Sequence, residues 1–356
     1  MKNIAIRKLL CLAVAAMLVL SGAALAVSAE YPYPDWALTD QAAPVEDTVS
    51  RAETVWKTLY GTVTAEELEF GELRYWVYLP ENYEPRHAYP LVVYLHGSDV
   101  SYQQSKYTPW VYSLNKSASR VPDVLREVLE ECILFVPQAP STKAGTVAGS
   151  GWSNMAGGEW KTATEDTTGS SNYLKAVEKL MAGYMADGIA YGDSTYAVDG
   201  SRVYLIGESM GGIGAYAMLQ DCPDTFAAVL VRAGIGDPNA VAAWKDTPIR
   251  IFHGDTDYNV RYESSVRMIE ALNAAGAKDA QLITVEKGGH DVRKEMYRTL
   301  DEQGNNVYLT WLSQQSRPDN AVTREAAYWP LAAAAAAAVV LLAVVWFFRK
   351  RRTGQD

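Results

Sequence analysis

Histidine and cysteine are scarce in this chain, with four and three residues respectively among 356. No two of the histidines fall at a spacing that would ligate one ion, so neither a metal nor any other cofactor is expected. Cys11 lies in an N-terminal apolar run, which leaves Cys132 and Cys222 for at most one disulfide. Cys132 opens an apolar stretch, a setting that equally suits two buried thiols. Positive charge is in deficit too, with 32 basic against 42 acidic residues. No internal repeat is visible.

The long apolar runs lie at the two ends. Lys2, Arg7 and Lys8 precede Leu9 to Leu20, and the small residues around Val27-Ser28-Ala29 offer a cleavage site, so residues 1–29 read as a secretory signal peptide. Residues 331–348 form an unbroken apolar run of 18 residues, about 27 Å as a helix, close to the ~30 Å hydrocarbon core. Tyr328, Trp329 and Trp346 flank this expected transmembrane helix, and Arg349-Lys350-Arg351-Arg352 would keep residues 349–356 in the cytoplasm. The intervening domain is then extracellular on a single-pass anchor at the cell membrane. Setting aside the seven basic residues and one acid of the two ends leaves 25 bases against 41 acids, a balance of −16. That balance argues against nucleic acid as a partner.

Between the ends, residues 30–69 are a mixed-polarity leader. From there short apolar runs alternate with helical patterns. Strands are expected at 73–79, 91–95, 132–136, 202–206, 226–231, 249–252 and 281–285. Helices are expected at 121–130, 172–185, 263–275, from 210 onward, and in a terminal region ending near 314. This order implies an α/β fold with a mostly parallel twisted sheet covered by helices on both faces. Ligands of such sheets bind beyond the carboxyl ends of the strands. Residues 141–171 form a long loop rich in Gly, Ser and Thr that carries Trp152 and Trp160, both candidates for substrate contact or for pinning the loop to the body.

The apolar run ending at Ile206 leads directly into Gly207-Glu208-Ser209-Met210-Gly211, and a helix-like stretch follows. That is the strand, turn and helix setting in which a G-x-S-x-G serine becomes a nucleophile. Such a serine needs a base oriented by a third group. Of the histidines that follow Ser209, His290 comes after the last strand, and Asp257 sits just past strand 249–252. Asp237, one strand earlier, is the rival acid. His96 and His253 read as turn-forming residues.

Leu95-His96-Gly97-Ser98, Gly207 to Gly212, His253-Gly254 with Asp257 and Val260, and Gly289-His290-Asp291 resemble four successive blocks of the α/β-hydrolase fold. Within that superfamily the chain is similar to secreted esterases of the polyhydroxybutyrate-depolymerase and feruloyl-esterase type, and to the group catalogued as predicted peptidases. The resemblance implies a catalytic domain over residues 70–316, followed by a linker at 317–330. It further implies Ser209 as nucleophile, His290 as base and Asp257 as acid, with the Ser98 and Met210 N–H groups as oxyanion hole. Glu208, beside the nucleophile, departs from the family pattern. The activity implied is hydrolysis of a small-molecule or glycan-linked ester through an acyl-enzyme. A serine peptidase or an acyltransferase would use the same groups, and a glycan-binding module on a hydrolase scaffold is the non-enzymatic alternative. The oligomeric state is left open.

Overall fold

The computed structural model describes residues 40–44, 57–64, 72–80, 82–98, 125, 129, 131–139, 151–155 and 161–317. The signal segment, the expected membrane helix with its basic tail, most of the helix expected at 121–130, and Trp160 lie outside the described residues. Among the described residues no helix is long and apolar enough to cross a membrane.

The strands, in chain order, are β1 (Asp40–Pro44), β2 (Lys57–Thr64), β3 (Glu72–Leu79), β4 (Ala88–Leu95), β5 (Ile133–Gln138), β6 (Ile189–Tyr191), β7 (Ser194–Glu208), β8 (Ala228–Arg232), β9 (Ile249–Gly254) and β10 (Ala280–Val285). They join one sheet in the order β1-β2-β3-β5-β4-β7-β8-β9-β10, with β6 paired to β7 as a side hairpin. The run from β5 through β4, β7, β8 and β9 to β10 is parallel. β1, β2 and β3 extend it antiparallel at one edge. Two strands of the sheet therefore come from the stretch read as a leader. The other edge is β10, held in register with β9 from Ala280 opposite Ile249 to Val285 opposite Gly254.

The helices are α1 (Asn172–Asp187), α2 (Met210–Asp221), α3 (Tyr262–Ala274), α4 (Arg293–Arg298) and α5 (Val307–Ser313). α1 starts where expected because the Ser171 hydroxyl accepts a hydrogen bond from the Leu174 N–H, satisfying one orphan donor of the first turn. Its Tyr173, Leu174, Val177, Leu180, Met181 and Tyr184 are buried.

Alternation along the strands feeds two layers. Trp76, Tyr78, Val92, Tyr94, Leu134, Val136, Tyr204 and Ile206 point to the face covered by Tyr297 of α4 and by Leu309 and Leu312 of α5. Their neighbours point the other way, where Phe135 meets Tyr75 on β3 and Tyr184 on α1 edge-on. Each fully buried aliphatic side chain of such a sheet contributes about 1.5–3 kcal/mol. The central strands are consequently a buried platform, and the turns that follow β7, β9 and β10 leave from their carboxyl ends. Cys132 and Cys222 are free thiols. Burial pushes the Cys132 thiol up to about 12, which leaves it inert as a nucleophile.

Candidate active site

Ser209 occupies the single residue between the end of β7 and the start of α2, at φ 55° and ψ −114°. A positive φ is strained for a serine, and the surrounding turn has to hold it in place. Gly207 and Gly211 make the turn possible. A methyl group on Gly211 would run into the Leu95 carbonyl, and one on Gly207 into the Gly211 carbonyl. The Ser209 N–H is fixed by a 2.7 Å bond to the carbonyl of Arg232 at the end of β8. The hydroxyl thus projects from the sheet edge into an open cavity of about 330 Å³, lined in part by Ser98, Met210, Ile213, Val260 and His290.

His290 follows β10 across the Gly288-Gly289 turn. Its Nδ1 lies 2.7 Å from Asp257 Oδ2 and its Nε2 lies 2.9 Å from Ser209 Oγ. A carboxylate only accepts, so Nδ1 carries the proton, and the Nε2 lone pair is left to receive the serine hydroxyl. Asp257 follows β9, and its Oδ1 accepts from the Asn259 and Val260 N–H groups at 2.8 and 3.1 Å. A second imidazole supports it from behind. His253 is fully buried, and its Nε2 lies 3.2 Å from Asp257 Oδ2 and 3.1 Å from the Val260 carbonyl. Because a carbonyl can only accept, that nitrogen carries the proton, and the Ser265 hydroxyl, 2.7 Å from Nδ1, donates to the other.

Burial alone would raise the Asp257 carboxyl, but hydrogen bonds from His253, His290 and the Val260 N–H outweigh it and hold the group far below the usual carboxylate range. A group depressed in this way stabilises the fold above its unfolded value near pH 3.9, and the stabilisation is lost as pH falls toward the folded value. Urea midpoints at pH 6 and pH 3 should therefore fall more steeply for the wild type than for Asp257→Asn, which has no proton to take up.

The structure thus brings Ser209, His290 and Asp257 into one hydrogen-bonded row at the carboxyl ends of β7, β9 and β10. Ser98 and Met210 line the cavity beside Ser209. Asp237, the rival acid, is spent in an exposed turn, where Oδ1 accepts from the backbone and side-chain N–H groups of Asn239. His96 braces its own turn, donating through Nδ1 to the Gly97 carbonyl and accepting at Nε2 from the Ala139 N–H.

Trp152 requires a correction. Of its two expected roles, substrate contact and pinning the loop to the body, the first is overturned: it is fully buried, its indole N–H donating 3.0 Å to the His96 carbonyl and its ring edge-on to the His96 imidazole. It also packs closely on Gly214 of α2, where even one added methyl would collide with its Cβ. Trp152 supports the strand end from below and is closed off from the cavity. Trp152→Phe should cost about 0.5–1.5 kcal/mol, the net worth of the buried hydrogen bond to the His96 carbonyl, with KM for esters unchanged. Denaturant melts and steady-state kinetics on one preparation check both halves.

Three residues with no expected role complete the surroundings. Arg232 closes β8 and pairs with Glu208 through Nε and Nη2, at 3.2 and 3.0 Å, while Nη1 donates 2.7 Å to the His290 carbonyl. Tyr297 on α4 donates 2.6 Å to the other Glu208 oxygen. Burial and the adjacent Glu208 raise the Tyr297 phenol far above its ordinary value, so it remains a donor. At the cavity rim Lys161 and the Arg293–Asp291 pair add charge. Among the described residues no cluster of His, Cys, Asp or Glu could hold a metal ion.

Comparison with known proteins gives three likenesses. A solved structure described as a thermostable esterase matches at 27% identity and a TM-score of 0.56, over 73% of this chain and 63% of that one, consistent with an α/β-hydrolase sheet. A ferulic acid esterase structure matches at 17% identity and a TM-score of 0.47, over 73% of this chain and 98% of that one. Dipeptidyl-peptidase 5 of Porphyromonas gingivalis is 24% identical over 305 residues, 74% of this chain and 37% of that protein. The chain thus spans less than two thirds of the length of the thermostable esterase and of the peptidase. Residues 70–317 match the family model described as "Putative esterase", and the chain belongs to that esterase family.

Proposed function

We propose that the chain is a serine hydrolase that cleaves a carboxylic ester through an acyl-enzyme, with Ser209 as nucleophile, His290 as general base and Asp257 as its orienting acid. The observation that carries this reading is the unbroken row of hydrogen bonds from Ser209 through His290 to Asp257. As Ser209 Oγ bonds to the acyl carbon, its proton passes to His290 Nε2 and the carbonyl π electrons move onto oxygen. Asp257 stabilises the imidazolium that forms. Collapse expels the alcohol, which takes the proton from His290, and a water molecule repeats the sequence to release the acid.

The developing oxyanion needs donors, and the Ser209 N–H is unavailable because Arg232 already accepts it. The N–H groups of Met210 and Ser98 are assigned that role, each donor contributing about 3 kcal/mol to the transition state.

The proposal extends to location. The signal at 1–29 and the apolar run at 331–348 argue for an extracellular catalytic domain of 70–316, tethered through the linker at 317–330 to a single membrane helix. Its substrates are then esters free in the surroundings or carried on surface glycans. The 24% identity to a dipeptidyl-peptidase favours a serine peptidase as the second reading.

One experiment addresses both. The full chain should react covalently with a fluorophosphonate at Ser209 and hydrolyse short acyl esters faster than peptide anilides. The opposite preference would establish the peptidase, and failure to react would remove both readings.

A further inference from the structure

We propose that Arg232 is a positioning residue that sets the distance between nucleophile and base, and that Glu208 and Tyr297 hold it in the required orientation. The proposal rests on the serine-hydrolase reading above. Arg232 touches both partners at once: its carbonyl accepts the Ser209 N–H at 2.7 Å, and its guanidinium donates 2.7 Å to the His290 carbonyl. One residue thereby spans the elbow and the loop beyond β10.

The His290 loop requires such a tether. Lys287 sits at a positive φ of 55°, Gly288 and Gly289 follow, and the His290 side chain is about a quarter exposed, at 24%. Two glycines leave this turn with more conformational freedom than any other pair would. Thr256 fixes the turn on one side by donating to the Gly288 carbonyl. On the other side Arg232 fixes His290 itself, and Tyr297, seven residues further on, binds the same unit through Glu208.

Stability is a poor reason for this arrangement. Arg232, Glu208 and Tyr297 are 3%, 1% and 4% exposed, so both charges are withdrawn from water. Burying an ion pair costs several kcal/mol per ion, and apolar pairs of the same volume often stabilise a fold equally well. What an apolar pair cannot do is donate to the His290 carbonyl. Glu208, next to the nucleophile in sequence, supplies the carboxylate that holds the guanidinium in place for that bond.

A substitution series separates positioning from simple cohesion. Arg232→Met alone strands the Glu208 charge and should destabilise the protein. Glu208→Leu combined with Arg232→Met removes both charges and should return the thermal midpoint toward wild type. A displacement of about 1 Å in a reacting group can lower turnover about 100-fold, and the double variant should show a loss of that size in kcat with KM for p-nitrophenyl acetate unchanged. Arg232→Lys, which keeps the charge but cannot reach Glu208 and the His290 carbonyl together, should fold and lose kcat likewise. Recovery of kcat along with stability in the double variant, or full activity in Arg232→Lys, would overturn the proposal. A wild type inert to the fluorophosphonate would instead overturn the hydrolase reading on which it depends.

Discussion

Ser209→Ala should abolish turnover of p-nitrophenyl acetate, lowering kcat by at least about 10⁴-fold while the circular dichroism spectrum and melting point stay at wild-type values. The reason lies in the geometry of one residue. Among the described residues, the hydroxyl bonded to His290 Nε2 is that of Ser209, at 2.9 Å. Its side chain makes no cap contact with α2, so losing the oxygen removes no structural bond of the helix. Residual activity would come from whatever oxyanion donors and binding contacts remain. A variant that retained wild-type turnover would rule out the covalent mechanism altogether.

The second large effect separates two aspartates. Asp257→Asn should lower kcat about 10⁴-fold, because an amide that donates toward Nδ1 stabilises the wrong imidazole tautomer and turns the Nε2 proton toward the serine. Asp237→Asn should leave kcat unchanged. The Asp237 carboxylate accepts from Asn239 within its own turn, whereas Asp257 Oδ2 meets His290 at 2.7 Å and draws further support from His253. Side-by-side steady-state kinetics decide the matter. A loss at Asp237 with none at Asp257 would move the acid one strand earlier.

Much of this architecture is legible in the chain because local and global signals agree. The runs at 91–95, 202–206 and 249–252 are buried except at Arg202 and Arg250, and an apolar run of that length between turn signals has few other uses. α1 announces itself through its helical spacing and Ser171 cap. The leader strands were hidden for the opposite reason. β2 is a strand only because β3 lies beside it, and its Lys57, Thr58, Thr62 and Thr64 interrupt any apolar run. β7 runs 15 residues, but its first half alternates with partly exposed positions and gives no continuous signal. β6 and the hairpin it makes with that half were missed with it.

The site divides in the same way. Ser209, Asp257 and His290 each occupy a position after a strand, and strand ends converge in a parallel sheet. For Trp152 the sequence leaves two uses open, because an indole in a Gly- and Ser-rich loop reads equally as a ligand contact or as a pin for the loop. Its true partner, His96, is 56 positions away. Arg232 carries a signal of its own: a charge closing a fully buried strand must have a partner. That partner is Glu208, itself conspicuous beside the serine, and only the pairing of β7 with β8 brings the two together.

The edge position of β10 has one more result. Among the described residues, its pairing with β9 is the ladder that sets the height of His290 over the sheet, and a slip of one residue would carry the base about 3.3 Å along the strand. A hydrogen bond tolerates a few tenths of an ångström. A chain misregistered at that edge would keep nearly all its apolar interior and still present a serine with no base, so turnover is a stricter gauge of correct folding here than any measure of compactness.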